Sequence, residues 1–395
     1  VDLERLADQT PGLSFATNGS LTTRRAVIRG VSQETRVGDE TNVATIVDGI
    51  YTPGFTGAEF FSADSLERIE VIKGPQSAVY GRNSFSGAIN YVTKKPSYQL
   101  EYGGRLTAGD GDRAGVTAYT SAPIIQEKLA LRVDAGFNRS GGSFDNTVDG
   151  KPLGSADTSF VRLGAIWDPT ERLNIFASVS YSEDEVNPVA ATLIADDDPR
   201  RIGERQIFTY SPFDFAAGGG APVGRLYDGE VTAASSSYTI DPRSFAGDRE
   251  ISRFTLQATY EFKGFDLISL TGYQERTVET LSDFNTCRND IRSAVCNTVS
   301  PTAMGTFFGG PLAGAPLVFG VLTGAIEDRN EISEDLRLQS SGDGRLQWVA
   351  GLYVSREEFT DQTQRLSDGT LATPSGAIVY AVQSSEPLID SSTEI

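Results

Sequence analysis

The chain has 395 residues, with 34 Lys and Arg against 53 Asp and Glu, giving a net charge of −19 and a pI near 4.5. That balance argues against a nucleic-acid partner, and an inventory of no histidine and two cysteines argues against a Cys/His zinc or iron centre. No apolar run is long enough for a transmembrane helix, which leaves a barrel open, because barrel strands are short, alternate, and keep overall hydropathy modest.

In chain order, the first residue is Val1, with no basic and apolar leader, so any signal segment is expected to be missing or removed. Asp2 is placed to cap a short helix through Asp8, which Pro11-Gly12 ends. Two short signatures follow, Ile28-Arg29-Gly30 and Val47-Asp48-Gly49-Ile50-Tyr51. Residues 66–96 then read LERIEVIKGPQSAVYGRNSFSGAINYVTKKP. Leu66, Ile69 and Val71 set against Glu67, Arg68 and Glu70 predict a strand over 66–72. Gly74-Pro75 forces a turn, because Pro fixes its own φ and Gly accepts conformations closed to other residues. Residues 76–80 form a turn or short helical piece closed by Gly81. Gly87 precedes a strand over 88–93, and Lys94-Lys95-Pro96 stops it. The result is a compact α+β unit with tight glycine corners.

Beyond Pro96 the pattern changes to long alternating segments. Leu129, Leu131, Val133, Ala135 and Phe137 share one face, while Ala130, Arg132, Asp134, Gly136 and Asn138 share the other. Alternation over about ten residues is the length needed to cross a bilayer at a barrel's tilt. An Arg facing lipid at mid-depth costs about 2–4 kcal/mol, and the register here keeps Arg132 off that face. The pattern recurs at 161–167, 173–181, 254–262 and 346–354, and more weakly at 100–108, 115–124, 266–281 and 332–339. Short links near 126–127, 168–170, 263–264 and 342–344 alternate with mostly longer ones at 110–113, 141–157, 186–250, 282–331 and from 361 onward. That asymmetry is the one outer-membrane barrels show. The tail from 391 to 395 ends no recognisable strand.

The three signatures, in this order and followed by such strands, resemble the plug domain of TonB-dependent outer-membrane receptors, in which a small globular domain sits inside a wide β-barrel. Gly30, Asp48, Gly49, Gly74, Pro75, Tyr80, Gly81 and Gly87 carry the resemblance. It implies an α+β plug at 1–96 followed by antiparallel transmembrane β-barrel strands at 97–395, about nine of a probable 22. So few strands cannot close around a plug, and an open edge in lipid leaves backbone groups unpaired, so the chain reads as incomplete.

The resemblance also implies a function, the import of a scarce nutrient from the medium. A ferric siderophore comes first, with a carbohydrate or another nutrient close behind. The partners are the inner-membrane TonB complex, which pulls on a segment expected before Val1, the nutrient ligand and outer-membrane lipid. No cofactor is implied. Charged plug residues of the family pair with barrel carboxylates, which nominates Arg29 and Lys73 with Glu334 or Asp335 as a lock. Strict alternation puts Glu334 outward with Ile332, Leu336 and Leu338, so either a bulge turns it inward or Asp335 is the inward acid. Tyr51, Phe55, Phe60, Phe61 and Arg36 are the ligand-facing candidates on apical plug loops, although core packing explains Phe60 and Phe61 equally well. Cys287 and Cys296, within one long loop facing an oxidising medium, are expected to form a local disulfide. Asp196-Asp197-Asp198 reads as a solvated run more readily than as a calcium site. No Gly-X-Ser-X-Gly, metal-ligand spacing or phosphate loop points to an enzyme. The rival class is a secreted all-β adhesin, whose strands need no lipid-facing alternation.

Overall fold

The computed structural model describes residues 3–16, 25–31, 42–52, 64–75, 84–142, 144–146, 149–188, 237–238, 244–283, 317–342, 346–372, 378–385 and 389–394. In chain order the elements are α1 (Leu3–Asp8), β1 (Leu13–Ala16), β2 (Arg25–Ile28), β3 (Val43–Val47), β4 (Ile50–Tyr51), β5 (Leu66–Lys73), β6 (Gly87–Thr93), β7 (Glu101–Gly109), β8 (Arg113–Ile125), β9 (Leu129–Ser140), β10 (Phe144–Asn146), β11 (Pro152–Leu153), β12 (Ala156–Thr170), β13 (Leu173–Val186), β14 (Ser237–Tyr238), β15 (Phe245–Glu261), β16 (Phe265–Asp283), β17 (Leu317–Ser340), β18 (Val349–Ala372), β19 (Ile378–Ser385) and β20 (Ile389–Glu394).

The N-terminal unit is built on a four-stranded sheet in the order β4-β3-β6-β5, with β3 parallel to β6 and the other pairs antiparallel. Its core gathers Leu13, Ile28, Val43, Val47, Leu66, Ile89 and Tyr91, and Ile251 of β15 joins the same cluster. The plug core is therefore continuous with the wall around it. Asp48 and Gly49 have φ of 51° and 85°, the pair of left-handed residues that a two-residue turn between β3 and β4 requires. At Gly87, φ is 151°, and an added Cβ would run into the Ile72 carbonyl and lie 2.8 Å from Ile28 Cδ1. No other residue fits there.

The remainder is an eleven-stranded sheet in the order β19-β18-β17-β16-β15-β13-β12-β9-β8-β7, with β20 also paired to β18. Strands adjacent in the sheet pair antiparallel throughout. The nine long strands β7, β8, β9, β12, β13, β15, β16, β17 and β18 are those the alternation predicts. Register shows how alternation becomes a membrane wall. Val133, Leu163, Val179, Phe254, Tyr273 and Ile332 lie directly opposite one another across six strands, all 39–52% exposed. One residue away, on the other face, Arg132, Gly164, Ser178, Thr255, Gly272 and Ser333 form a matching rung of small and polar residues. Lipid takes the first rung and the plug takes the second. Near the short turns the outer face carries an aromatic group: Phe262 stacks on Phe265 at 4.8 Å, and Phe265 lies 6.4 Å from Trp348. Trp and Tyr belts of this kind mark the membrane–water boundary.

Several boundaries differ from expectation. β17 begins at Leu317 and β18 runs on to Ala372, and β20 pairs with β18 over residues expected to end no strand. Outside the bilayer a strand keeps its ladder hydrogen bonds but needs no apolar face, so pairing continues where alternation fades. In the other direction, Leu346 and Trp348 precede β18, and the Trp348 amide donates to Ser340 Oγ at 2.9 Å.

Candidate functional site

The plug meets the wall where the wall is smallest. An added Cβ at Gly272 of β16 would lie 2.6 Å from Ile50 Cγ2, and one at Gly164 of β12 would lie 3.6 Å from Pro96 Cγ. Around Gly164 the contact is polar and buried. Arg132 and Asp134, two residues apart on the inward face of β9, are each 1% exposed and joined at 2.7 Å. Arg162, directly opposite Asp134 on β12, lies 3.6 Å from the same carboxylate and is 3% exposed.

Both arginines reach the plug. Arg162 Nη2 donates to Thr93 Oγ1 at 2.6 Å and its Nη1 to the Lys94 carbonyl at 3.1 Å. Arg132 Nη2 donates to the Asp64 carbonyl at 3.3 Å. Asp48 completes the set from the β3–β4 turn, its carboxylate accepting from the Thr93 amide at 2.8 Å and the Thr93 hydroxyl at 2.7 Å. The Arg132 guanidinium lies 4.5 Å from the Tyr119 ring centre, and Arg162 lies 5.9 Å from that of Phe176. This seam holds the end of the plug sheet to β9 and β12 by charge-assisted hydrogen bonds, in a dry setting where each bond counts for more. A further bidentate pair, Arg105 with the Asp64 carboxylate at 2.9 and 3.1 Å, is solvent-exposed on the Arg side and adds little.

The four residues nominated for a lock have other surroundings. Lys73 Nζ donates to the Pro11 carbonyl at 2.6 Å, inside the plug. Arg29 is exposed in the turn after β2, with its guanidinium beside Gly74. Glu334 does face outward, where it accepts from Ser269 Oγ at 2.7 Å and from Thr271 Oγ1. Asp335 lies 3.0 Å from Arg337 Nε on its own strand. No hydrogen bond or ion pair among the described residues joins Arg29 or Lys73 to Glu334 or Asp335. The seam at Arg132, Asp134 and Arg162 makes the contact expected of them.

Tyr51 is corrected as well. It pairs with Ile46, is 8% exposed and packs with Ala44, Ile46 and Ala88, so its ring belongs to the sheet core. Phe55, Phe60, Phe61, Arg36, Tyr80, Gly81, Cys287, Cys296 and the 196–198 run lie outside the described residues. Gly30 and Gly74 sit in turns, and Pro75 is exposed beyond β5. The signal that would have found the seam is Arg-X-Asp on the polar face of a strand, since two opposite charges facing a barrel lumen need a partner within it.

Residues 1–88 match the family described as TonB-dependent Receptor Plug Domain. The ferrioxamine receptor of Yersinia enterocolitica is 29% identical over 119 residues, which is 30% of this chain and 16% of that receptor. The metal-pseudopaline receptor CntO of Pseudomonas aeruginosa is 39% identical over 92 residues, 22% of this chain and 13% of its own. Among solved structures, the ferric yersiniabactin uptake receptor FyuA from Yersinia pestis aligns over 98% of this chain and 57% of its own, with a TM-score of 0.61 and 15% identity. The last likeness speaks to fold alone, and the chain spans only part of the length of each of these proteins.

Proposed function

We infer, from the premise that this chain is a member of the TonB-dependent receptor family carrying the plug and part of the outer-membrane barrel, that the complete protein imports a ferric chelate. The observation that carries this reading is the buried seam between plug and wall. Here the end of its sheet is held by a small set of directed bonds to Arg132 and Arg162. Such bonds are strong while dry and weaken once water enters, so a modest displacement of the plug releases them together. That behaviour suits a transporter that is closed at rest and opened by force.

On this reading the force comes from the inner-membrane TonB complex, acting on a segment N-terminal to the plug. The iron chelate is the cargo class that the relatives' names support. The test is uptake of radioactive iron by iron-starved cells whose only outer-membrane receptor is the complete protein, across hydroxamate, catecholate, carboxylate and haem sources. Uptake from at least one source, abolished when TonB is deleted, is expected. Equal uptake without TonB, or none from any source, would overturn the reading.

A further inference from the structure

We propose that the outward face of the wall, at the ends of β7, β8, β9, β12 and β13, seats the sugar headgroup of an outer-leaflet glycolipid. The inference goes beyond transport and does not depend on the cargo.

The seat is a cavity of about 790 Å³, within the range of about 300–1,000 Å³ that small-molecule sites span. Ala108, Ala114, Arg139, Asp157 and Glu185 floor it, each directly opposite the next across five strands. Arg139 alternates along β9 with Val133 and Phe137, which are 39% and 41% exposed, so the floor belongs to the face that meets lipid. The walls are backbone packed on backbone. An added Cβ at Gly141 would run into the Gly111 carbonyl, and one at Gly142 into the Leu153 carbonyl. Glycine alone permits these approaches, and they fix the tip of the β7–β8 hairpin beside the floor.

Depth says what lies around the cavity. Ten residues of β9 separate Arg139 from Leu129, which adjoins the short turn. At about 3.4 Å per residue and a tilt of about 40° they rise about 25 Å, the height of an apolar band. The floor therefore lies where acyl chains end and headgroups begin, in the leaflet away from the short turns. Leu106, Val116 and Phe137 form the outward rung just below it and are 41–86% exposed. A polar cavity continuous with an exposed apolar stripe fits an amphiphile.

The lining decides which headgroup. Arg139 donates to both carboxylate oxygens of Asp157, at 3.0 and 3.1 Å, and Asn187 Nδ2 donates to Ser155 Oγ at 2.7 Å. Asp112, Arg113 and Glu185 also line the cavity and make no side-chain hydrogen bond among the described residues. Guanidiniums, carboxylates, an amide and a hydroxyl are thus interspersed. A phosphate only accepts, and it would meet Asp112, Asp157 and Glu185. An ammonium only donates, and it would meet Arg113 and Arg139. Hydroxyls both donate and accept, so a sugar satisfies either kind of neighbour.

The test is lipid selection by the complete receptor. It is reconstituted in phosphatidylcholine bilayers carrying equal minor amounts of a diglycosyl diacylglycerol, a phosphatidic acid and stearylamine. Extraction in a polyoxyethylene detergent, which has no sugar head to compete, is followed by mass spectrometry of the lipid that stays bound. The glycolipid is expected at about tenfold or more over its share of the bilayer, and the other two at their share. Ala114→Trp, which fills the cavity from an exposed position and removes no polar group, should abolish the enrichment. Ala118→Trp, two outward rungs nearer the short turn on the same strand, should leave it unchanged and guards against a general effect of bulk. Arg113→Gln, which removes one charged donor and no volume of note, should reduce the enrichment in part. No enrichment in the wild type, a preference for phosphatidic acid or stearylamine, or enrichment undiminished in Ala114→Trp would overturn the seat. The assay asks nothing of transport, so its failure would leave the uptake reading standing.

Discussion

One inward rung of the barrel wall carries two buried charged regions that behave in opposite ways. The rung runs through Asp134, Arg162, Ser180, Arg253, Gln274, Glu331 and Glu357, each directly opposite the next. At one end the charges are bonded to the plug, through Thr93 and the carbonyls of Lys94 and Asp64. Toward the other end, on this rung and the next, they are bonded to the wall itself, Gln274 to Arg253, Arg276 to Glu327 and Arg329 to Glu357. Burial alone therefore does not say what a barrel charge does. The partner decides: acceptors on the plug make the first region a fastening between two bodies, and carboxylates on neighbouring strands make the second a brace within the wall.

The comparison breaks most visibly at Asp134. Replacing it by Ala leaves Arg132 and Arg162 buried without their shared carboxylate, and removing one member of a buried ion set costs about 3–5 kcal/mol. Denaturant unfolding of the complete receptor, or its heat-dependent shift on a gel, should show that loss. A change below about 1 kcal/mol would mean that water reaches the seam and that it is no dry fastening.

Much of this fastening is legible in the amino-acid sequence. Strict alternation over 129–138 assigns Arg132 and Asp134 to the lumen, and the structure leaves each 1% exposed. What alternation cannot supply is the partner. Thr93 and the carbonyls of Lys94 and Asp64 carry no charge, and nothing in residue type marks a backbone carbonyl as the target of an arginine. The lock nominated at Arg29, Lys73, Glu334 and Asp335 went astray for the same reason. It matched plug cations to barrel carboxylates, whereas the fold sets barrel arginines against a plug hydroxyl, plug carbonyls and, at Arg105, the Asp64 carboxylate. Arg276 facing Arg329 was hidden for a different reason. Their alignment depends on the register between β16 and β17, which are joined by the connection at 284–316, and no local pattern fixes a register across such a gap. Tyr51 shows the limit in miniature: an aromatic beside a glycine turn suggested a binding surface, and one cross-strand pair with Ile46 buries it.

A smaller effect sharpens the comparison at the plug side of the seam. Thr93→Val keeps the β-branched shape but removes the hydroxyl that accepts from Arg162 and donates to Asp48. Hydrogen bonds to charged groups are worth about 1.5–3 kcal/mol each, so a loss of about 2 kcal/mol is expected, below that of Asp134→Ala. The double variant should lose less than the sum, because both changes empty the same network. Strict additivity would show that Thr93 and Asp134 act independently and that the seam is not one unit.

The smallest effect lies within the plug sheet, away from both regions. The Asn90 amide, with Arg68 beside it, holds the Glu70 carboxyl below its ordinary value. A carboxyl whose folded value is depressed stabilises the fold above the unfolded value of about 4.3, and that contribution is lost as pH falls through the lower, folded one. Glu70→Gln should therefore leave a shallower acid limb in the pH dependence of unfolding, with the wild type and variant converging at low pH. Arg68 is half exposed, so the separation at neutral pH should be modest. An acid limb unchanged in Glu70→Gln would mean that the Asn90 and Arg68 contacts do not hold that carboxylate in its charged form, and the plug sheet would then add no charge term of its own beside the seam.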